Sequence, residues 1–140
     1  MALDKFDWLE SFELGITDVD EDHRGMLAIM KKIERAADNE AYDLCNELLE
    51  ELLEFTIAHF KREEKMLEDV GYPNVQHHRE YHTELLARAK AVMNVCRDIK
   101  SKDNLKECCH EMFSFLVDDV VTGDLKFKSY MEEMGLIKRP

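Results

Sequence analysis

The sequence contains little of what tight turns, membrane spans and secretion signals require. Only 5 Gly and 2 Pro occur among 140 residues, and so low a content of turn-forming residues favours long helices. No apolar run approaches the roughly 20 residues of a membrane span, and the first residues lack the basic and then apolar order of a signal peptide. With 45% hydrophobic and 36% charged residues, we expect one globular domain over 1–140.

An excess of positive charge is also absent. The formal net charge is −12, and an acidic surface repels both nucleic acid and anionic membranes. Neither is therefore expected as a partner. The acidity is most simply explained by solubility.

The four cysteines form no recognisable framework. Cys45 and Cys96 stand alone, Cys108 and Cys109 are adjacent, and no C-x-x-C motif occurs. The simplest interpretation is reduced thiols in a cytoplasmic protein. The alternative is that the Cys108–Cys109 pair acts as a redox sensor.

Amphipathic stretches with helical period account for most of the chain. They predict helices over about 18–37, 41–70, 75–99 and 104–121, with a last short helix over 125–135. Short links between long helices indicate an all-α, antiparallel up-down-up-down four-helix bundle. Residues 1–16 are predicted to be an N-terminal arm that packs through five scattered apolar residues, Phe6, Trp8, Phe12, Leu14 and Ile16.

Each long helix has a predicted inner stripe. The stripes are His23, Met26, Met30, Ile33 and Ala37 in the first helix; Leu44, Leu48, Leu52, Phe55, His59, Glu63, Met66 and Val70 in the second; His78, His82, Leu85, Ala89, Val92, Cys96 and Ile99 in the third; and Leu105, Cys108, Met112, Phe115, Leu116 and Asp119 in the fourth. His77 and His110 fall off these stripes, and both are expected at the surface.

The polar residues in these stripes fall at one end of the predicted bundle. His59 and Glu63 lie four residues apart before the Gly71-Tyr72-Pro73 break, and His78 and His82 lie four apart after it, so each pair shares a helix face. His23, Asp119 and Asp124 belong to the same end. Each residue alone has a simpler explanation, such as an ion pair or a partly buried histidine.

A metal centre would satisfy this whole set of polar groups. Burying unpaired polar groups is costly, whereas imidazoles and carboxylates together suit transition metals such as iron, zinc or copper. Four histidines with up to three carboxylates exceed what one tetrahedral zinc needs. The set therefore favours two metal ions, for which helical bundles are known hosts.

These residues also give the chain a family resemblance. Trp8, Leu14-Gly15-Ile16, Asp20-Glu21-Asp22-His23, His59-Phe60, Glu63-Glu64, Gly71-Tyr72-Pro73, His78 and His82 occur in the order found in bacterial hemerythrins. The chain thus resembles a hemerythrin-like single-domain protein over nearly its whole length. The resemblance implies one iron held by His23 and His59, and a second held by His78 and His82. It further implies that Glu63 and Asp124 bridge the irons together with an oxo or hydroxo group.

The chain departs from this family at one ligand. The family has a third histidine of the second iron on the fourth helix, five residues before the bridging aspartate, and Asp119 stands there. Asp119 would ligate its iron directly, fall short and leave an open position, or weaken the site to a single or mixed metal. We expect direct ligation because an unligated buried carboxylate is costly.

The resemblance implies a non-haem di-iron protein that binds O2 reversibly in its diferrous form. Its function would be oxygen carriage, storage or delivery by a monomeric oxygen-binding protein rather than an enzyme. A dry O2 pocket is expected at Leu27, Phe55, Phe60 and Met66.

Three other functions remain open from the sequence. The first is a di-iron redox enzyme (a peroxidase, an oxidase or an NO-consuming enzyme), which would be favoured if Asp119 promotes autoxidation. The second is an O2 or redox sensor, and the third is a purely structural bundle. The expected partners are O2, with NO or peroxide as alternatives, and an unidentified electron donor or O2-accepting protein.

Overall fold

The computed structural model describes residues 16–118 and 125–136 of the chain, and within those ranges all regular structure is helical. No helix of this part is long and apolar enough to cross a membrane. The helices are α1 (Thr17–Asp38), α2 (Tyr42–Asp69), α3 (Val75–Arg97), α4 (Lys102–Asp118) and α5 (Leu125–Glu133).

The four long helices form a ring around one core. Helix α1 packs against α2 and α4, and α3 packs against the same two helices. Because short links join successive helices, neighbours along the chain run in opposite directions. The predicted four-helix bundle is confirmed, and the predicted bounds agree within a few residues. The N-terminal arm, apart from Ile16, lies outside the described residues.

The turn between α2 and α3 forms as the Gly71-Tyr72-Pro73 motif predicts. Gly71 has φ +73°, a left-handed conformation that glycine adopts without a steric cost. The N–H of Tyr72 donates to the carbonyl of Leu67 at 2.9 Å. Helix α5 is tied to this turn, since the Tyr130 hydroxyl donates to the carbonyl of Val70 at 2.9 Å.

The predicted inner stripe is right for α1 and displaced in α2. All five predicted α1 residues are buried, whereas Leu44 at the start of α2 is 49% exposed. The buried face of α2 comprises Cys45, Leu49, Leu52, Thr56, His59, Phe60, Glu63 and Leu67. Thr56 can lie in this apolar row because its hydroxyl donates to the carbonyl of Leu52 at 2.7 Å.

Smaller displacements occur in α3 and α4. Three predicted inner residues, Val92, Cys108 and Phe115, are only half-buried. Their places in the core are taken by Met93, Cys109 and Phe113. The rest of each predicted face is right, because five predicted residues of α3 and three of α4 are buried: His78, His82, Leu85, Ala89 and Cys96, and Leu105, Met112 and Leu116.

The expectation of four reduced cysteines is wrong for two of them. Cys96 near the end of α3 and Cys108 in α4 form a disulfide, with their Cα atoms 5.8 Å apart. Cys45 and Cys109 are buried thiols. Adjacent residues on a helix point about 100° apart, so Cys108 and Cys109 face different parts of the bundle.

Candidate metal centre

A layer of five buried polar side chains crosses the bundle near the α2–α3 turn. Its members are each 5% exposed or less: His23, His59, Glu63, His78 and His82. An apolar cluster with Leu67, Tyr72 and Phe127 lies on one side of this polar layer. The larger core cluster, which includes Met26, Phe60 and Leu85, lies on the other. The layer is thus enclosed along the bundle axis by apolar side chains.

Glu63 lies at the centre of the polar layer, and its two oxygens face opposite groups. Its Oε2 is 3.1 Å from Nε2 of His59. Its Oε1 is 2.7 Å from Nε2 of His78 and 3.3 Å from Nε2 of His82. One carboxylate therefore reaches histidines on both α2 and α3.

The layer contains two groups of possible metal ligands that share Glu63. One group is His23, His59 and Glu63, and the other is Glu63, His78 and His82; in each group the ligand atoms lie within 4.8 Å of one another. Buried imidazoles and a carboxylate form a donor set that suits iron and similar transition metals. The chemistry of these residues fits a pair of cations with one carboxylate between them.

A second carboxylate orients the histidine that α2 contributes. The Nδ1–H of His59 donates to Oδ2 of Asp22 at 2.9 Å, which leaves Nε2 directed at the site. Arg62 in turn holds Asp22 through two hydrogen bonds, of 3.1 and 2.8 Å. Carboxylate–histidine pairs of this kind fix the ring and its tautomer in metal sites.

The same arrangement recurs on the other side of the layer. The Nδ1–H of His82 donates to Oε2 of Glu64 at 2.8 Å, and Arg79 approaches Glu64 with its Nε 3.6 Å from Oε1. Phe60 stacks on the ring of His82, with centroids 3.8 Å apart and planes 2° from parallel. His82 is therefore fixed by a hydrogen bond and by an aromatic contact.

The histidines keep Glu63 ionised in spite of its burial. Burial alone would raise the pKa of the carboxyl, but hydrogen bonds with His59, His78 and His82 outweigh that effect and hold the pKa well below its usual range. The pKa of Asp22 is lowered in the same way: its partial burial opposes ionisation, and the bonds from His59 and Arg62 prevail. Glu63 thus offers a carboxylate to a cation.

His23 is biased towards its neutral form. Burial, followed by the nearby positive charge of His59, lowers its pKa from 6.5 to about 4. A neutral imidazole has a lone pair with which to bind a metal. His23 is therefore ready to act as a ligand over the neutral and mildly acidic range.

We expect the metal-free protein to lose stability as the pH falls from 6.5 towards 4. The unfolded chain protonates His23 near pH 6.5, whereas the folded chain does so only near pH 4, so acid favours unfolding by roughly 3 kcal/mol from this group. Urea unfolding at several pH values measures the loss. His23→Gln should flatten the dependence and His77→Gln, at an exposed histidine, should not; equal slopes in all three proteins would contradict the assignment.

A cavity of about 510 Å³ opens beside the polar layer, between α1 and α2. Ile16, Val19 and Met66 supply apolar walls, and Arg62 supplies a cationic one. Glu63 forms part of its lining. The cavity thus extends to the edge of the polar layer.

The structure brings together five of the seven predicted ligands. His23, His59, Glu63, His78 and His82 converge in the polar layer, whereas Asp119 and Asp124 lie outside the described residues. Of the four residues predicted to line an O2 pocket, Phe60 contacts His82 and Met66 lines the cavity. The other two, Leu27 and Phe55, pack in the larger core cluster.

Sequence reasoning missed two kinds of functional residue. Asp22 and Glu64 orient ligands, and the only signal for them was their position next to His23 and Glu63 in the chain. The second concerns His110, which was predicted to lie at the surface but pairs with a buried carboxylate. Its Nε2 lies 2.8 Å from Oε2 of Glu34, a carboxylate that is only 4% exposed.

Comparison with known proteins adds an independent observation. The family model described as "Hemerythrin HHE cation binding domain" matches residues 14–123. A myohemerythrin from Theromyzon tessulatum is 28% identical, over 88% of this chain and 91% of its own length. A bacteriohemerythrin from Clostridium acetobutylicum is 30% identical over 80% of this chain and 87% of its own. A bacteriohemerythrin from Stenotrophomonas maltophilia is 26% identical over 58% of this chain, and the match spans about half (53%) of that relative.

Proposed function

Because the chain belongs to the hemerythrin family, we propose that it is a non-haem di-iron protein that binds O2 reversibly. The observation that carries this proposal is the position of Glu63. Its two oxygens face two separate groups of buried histidines, which is the arrangement that a pair of metal ions with a common carboxylate requires. Two ferrous ions held there would supply the electrons for reversible O2 binding.

The ligand set that we propose includes residues from four parts of the chain. His23 and His59 would hold one iron, and His78 and His82 the other, with Glu63 shared. Asp119 and Asp124, which the family resemblance adds, would complete the set. An oxo or hydroxo group would be the further bridge.

The protein's own contribution is to fix donors and exclude water. Asp22 and Glu64 hold the Nδ1–H groups of His59 and His82, so that each Nε2 is directed inwards. Phe60 and Phe127 lie against His82 and His78, respectively. Apolar cover of this kind keeps water away from both histidines.

The proposal is tested by iron content and optical spectra on one anaerobically reconstituted sample. Two irons per chain, with a visible charge-transfer band that appears on exposure to O2 and disappears when O2 is removed, are expected. A stable ferric spectrum that does not revert under an inert gas would contradict reversible O2 binding. Fewer than two irons in a folded protein would contradict the di-iron site.

A di-iron redox enzyme is the second candidate, and two features favour it. Asp119 would make the centre richer in carboxylate than that of an oxygen carrier, and the cavity beside Glu63 has room for more than O2. Catalytic loss of peroxide or NO, many equivalents per chain, would support this activity. Stoichiometric binding alone would exclude it.

We expect Asp119 to shorten the lifetime of the oxygenated protein. A carboxylate ligand adds negative charge, which stabilises ferric iron and lowers the reduction potential. The wild-type protein should therefore autoxidise several-fold faster than Asp119→His. The measurement is the decay of the visible oxygenated spectrum in air, with Asp118→His as the control at an exposed neighbour. Equal autoxidation rates in the wild type and Asp119→His would show that the charge of Asp119 does not shorten the lifetime of the oxygenated protein.

A further inference from the structure

All four cysteines gather at the end of the bundle opposite the polar layer. Cys45 precedes His59 by 14 residues, and Cys96 follows His82 by the same interval, which is about 21 Å along a helix. Cys96 and Cys108 are joined as a disulfide between α3 and α4. Cys109 contacts Cys45 on α2 through a thiol hydrogen bond. One disulfide and one dithiol pair thus occupy a single cluster.

We propose that Cys96 and Cys108 form a reversible dithiol–disulfide couple that reacts with small-molecule thiols and disulfides of the glutathione class. Its distance from the polar layer separates it from the iron chemistry. The proposal stands whether or not the protein carries oxygen.

Access to the couple is provided by Cys108. Its side chain is half-buried, whereas Cys96 is 0% exposed. An incoming thiolate must approach a disulfide sulfur closely, and of the two bonded cysteines only Cys108 is partly exposed to solvent. Attack is therefore directed to Cys108, and Cys96 is the leaving sulfur.

The α3–α4 hairpin does not depend on this disulfide for its closure. The two helices are connected by the short link between Arg97 and Lys102, and Met93 on α3 and Leu105 on α4 are buried in the common core. A cross-link over so few residues adds only a moderate constraint to the unfolded chain. The bond can therefore open while the fold persists, which a redox couple requires.

The exchange balances without any further reactant. A thiolate RS⁻ forms a bond to Sγ of Cys108, the Cys96–Cys108 bond breaks, and Cys96 leaves as a thiolate that takes up a proton. A second RSH then forms RSSR with the bound R–S group, and the sulfur of Cys108 takes the released proton. The disulfide gains two electrons, and two RSH molecules are oxidised to one RSSR. Oxidation of the protein is the reverse.

Cys45 and Cys109 provide an internal reference within the same cluster. Both are buried, and the hydrogen bond between them lowers the pKa of Cys45 while it raises the pKa of Cys109. Burial keeps external thiols away from both sulfurs. They should stay reduced over the conditions in which Cys96 and Cys108 change state.

The test equilibrates the full-length protein in reduced and oxidised glutathione at a series of ratios, without denaturant. Free thiols are then trapped with a maleimide in acid and denaturant, and the labelled positions are identified by mass spectrometry. Cys96 and Cys108 should gain labels together in one two-electron transition within the series. Cys45 and Cys109 should be labelled throughout.

The outcomes are distinct. A pair that stays oxidised at every ratio until the protein is unfolded would be a purely structural disulfide, and a pair that never oxidises would be two thiols; either result overturns the proposal. Cys108→Ala should abolish the transition, and Cys45→Ala should leave its midpoint within about twofold. Reduction should lower the melting temperature of the wild type by roughly 5–10 °C and leave that of Cys108→Ala unchanged.

Discussion

Glu63→Gln should reduce the iron content from the two ions per chain that we propose to one or none. Glutamine keeps the size of the side chain but replaces its charge with a neutral amide, and Glu63 is the only carboxylate in the described part of the chain that belongs to both ligand groups. Loss of a shared ligand should weaken binding by more than the roughly 10–100-fold that supporting residues contribute. Metal analysis after anaerobic reconstitution and desalting measures the effect.

Three further variants make this prediction specific. Asp22→Asn and Glu64→Gln keep every ligand and alter only the hydrogen bonds to His59 and His82, so they should weaken iron binding by about 10–100-fold. Glu68→Gln changes an exposed carboxylate of the same helix that pairs with Arg79 and should keep two irons. Full iron content in Glu63→Gln would show that the two ligand groups do not need the Glu63 carboxylate as a shared metal ligand.

Phe60→Ala should lower the free energy of unfolding by about 3–5 kcal/mol, as is typical for removal of a fully buried aromatic ring. Phe60 is 1% exposed, and its ring lies flat on that of His82. The variant would leave a cavity next to a ligand as well as lose apolar contacts. Urea unfolding of the metal-free protein gives the stability change without a contribution from bound iron.

Phe60→Leu and Phe115→Ala serve as controls for volume and burial. Leucine refills most of the space, so Phe60→Leu should cost less than about 1.5 kcal/mol. Phe115 is half-buried beneath Arg88, and its truncation should cost much less than that of Phe60. A loss below about 1 kcal/mol in Phe60→Ala would mean that the ring does not support this part of the core.

The bundle and the position of its polar layer could be predicted because two strong patterns coincide. The apolar stripe of α1 places His23 in line with Met26 and Met30, and all three are buried. The spacings His59–Glu63 and His78–His82, on either side of Gly71, place both pairs at one height in an antiparallel bundle. The helical period and the turn residues were therefore sufficient to predict the bundle and the end at which the polar layer lies.

The inner face of α2 could not be read correctly from apolarity alone. Leu44 and Leu48 look like core residues, yet Cys45 and Leu49 are the buried ones, each 0% exposed. Leucine is common at the surface of helical proteins, and Thr56 is buried because the helix backbone satisfies its hydroxyl. Which of two adjacent residues faces inwards depends on the neighbouring helices.

Side-chain contacts between helices could also not be predicted from the sequence. The sequence shows four cysteines but not that Cys96 and Cys108 face each other across α3 and α4. It likewise does not show that Glu34 on α1 meets His110 and Lys106 on α4. Such contacts depend on the rotation and height of two helices, and a pattern within one helix contains neither quantity.

The polar layer also divides the apolar interior into two packing units of unequal size. Val19, Leu67, Tyr72, Phe127 and Met131 form the smaller one, to which α5 contributes, and the larger one occupies the rest of the bundle. Polar groups between them add little hydrophobic stabilisation, so in the metal-free protein we expect the α5 end to open locally while the larger unit stays folded. Metal ions held by α1, α2 and α3 would connect the two units. Amide hydrogen exchange in α5 should then be slower in the metal-bound protein than in the metal-free protein.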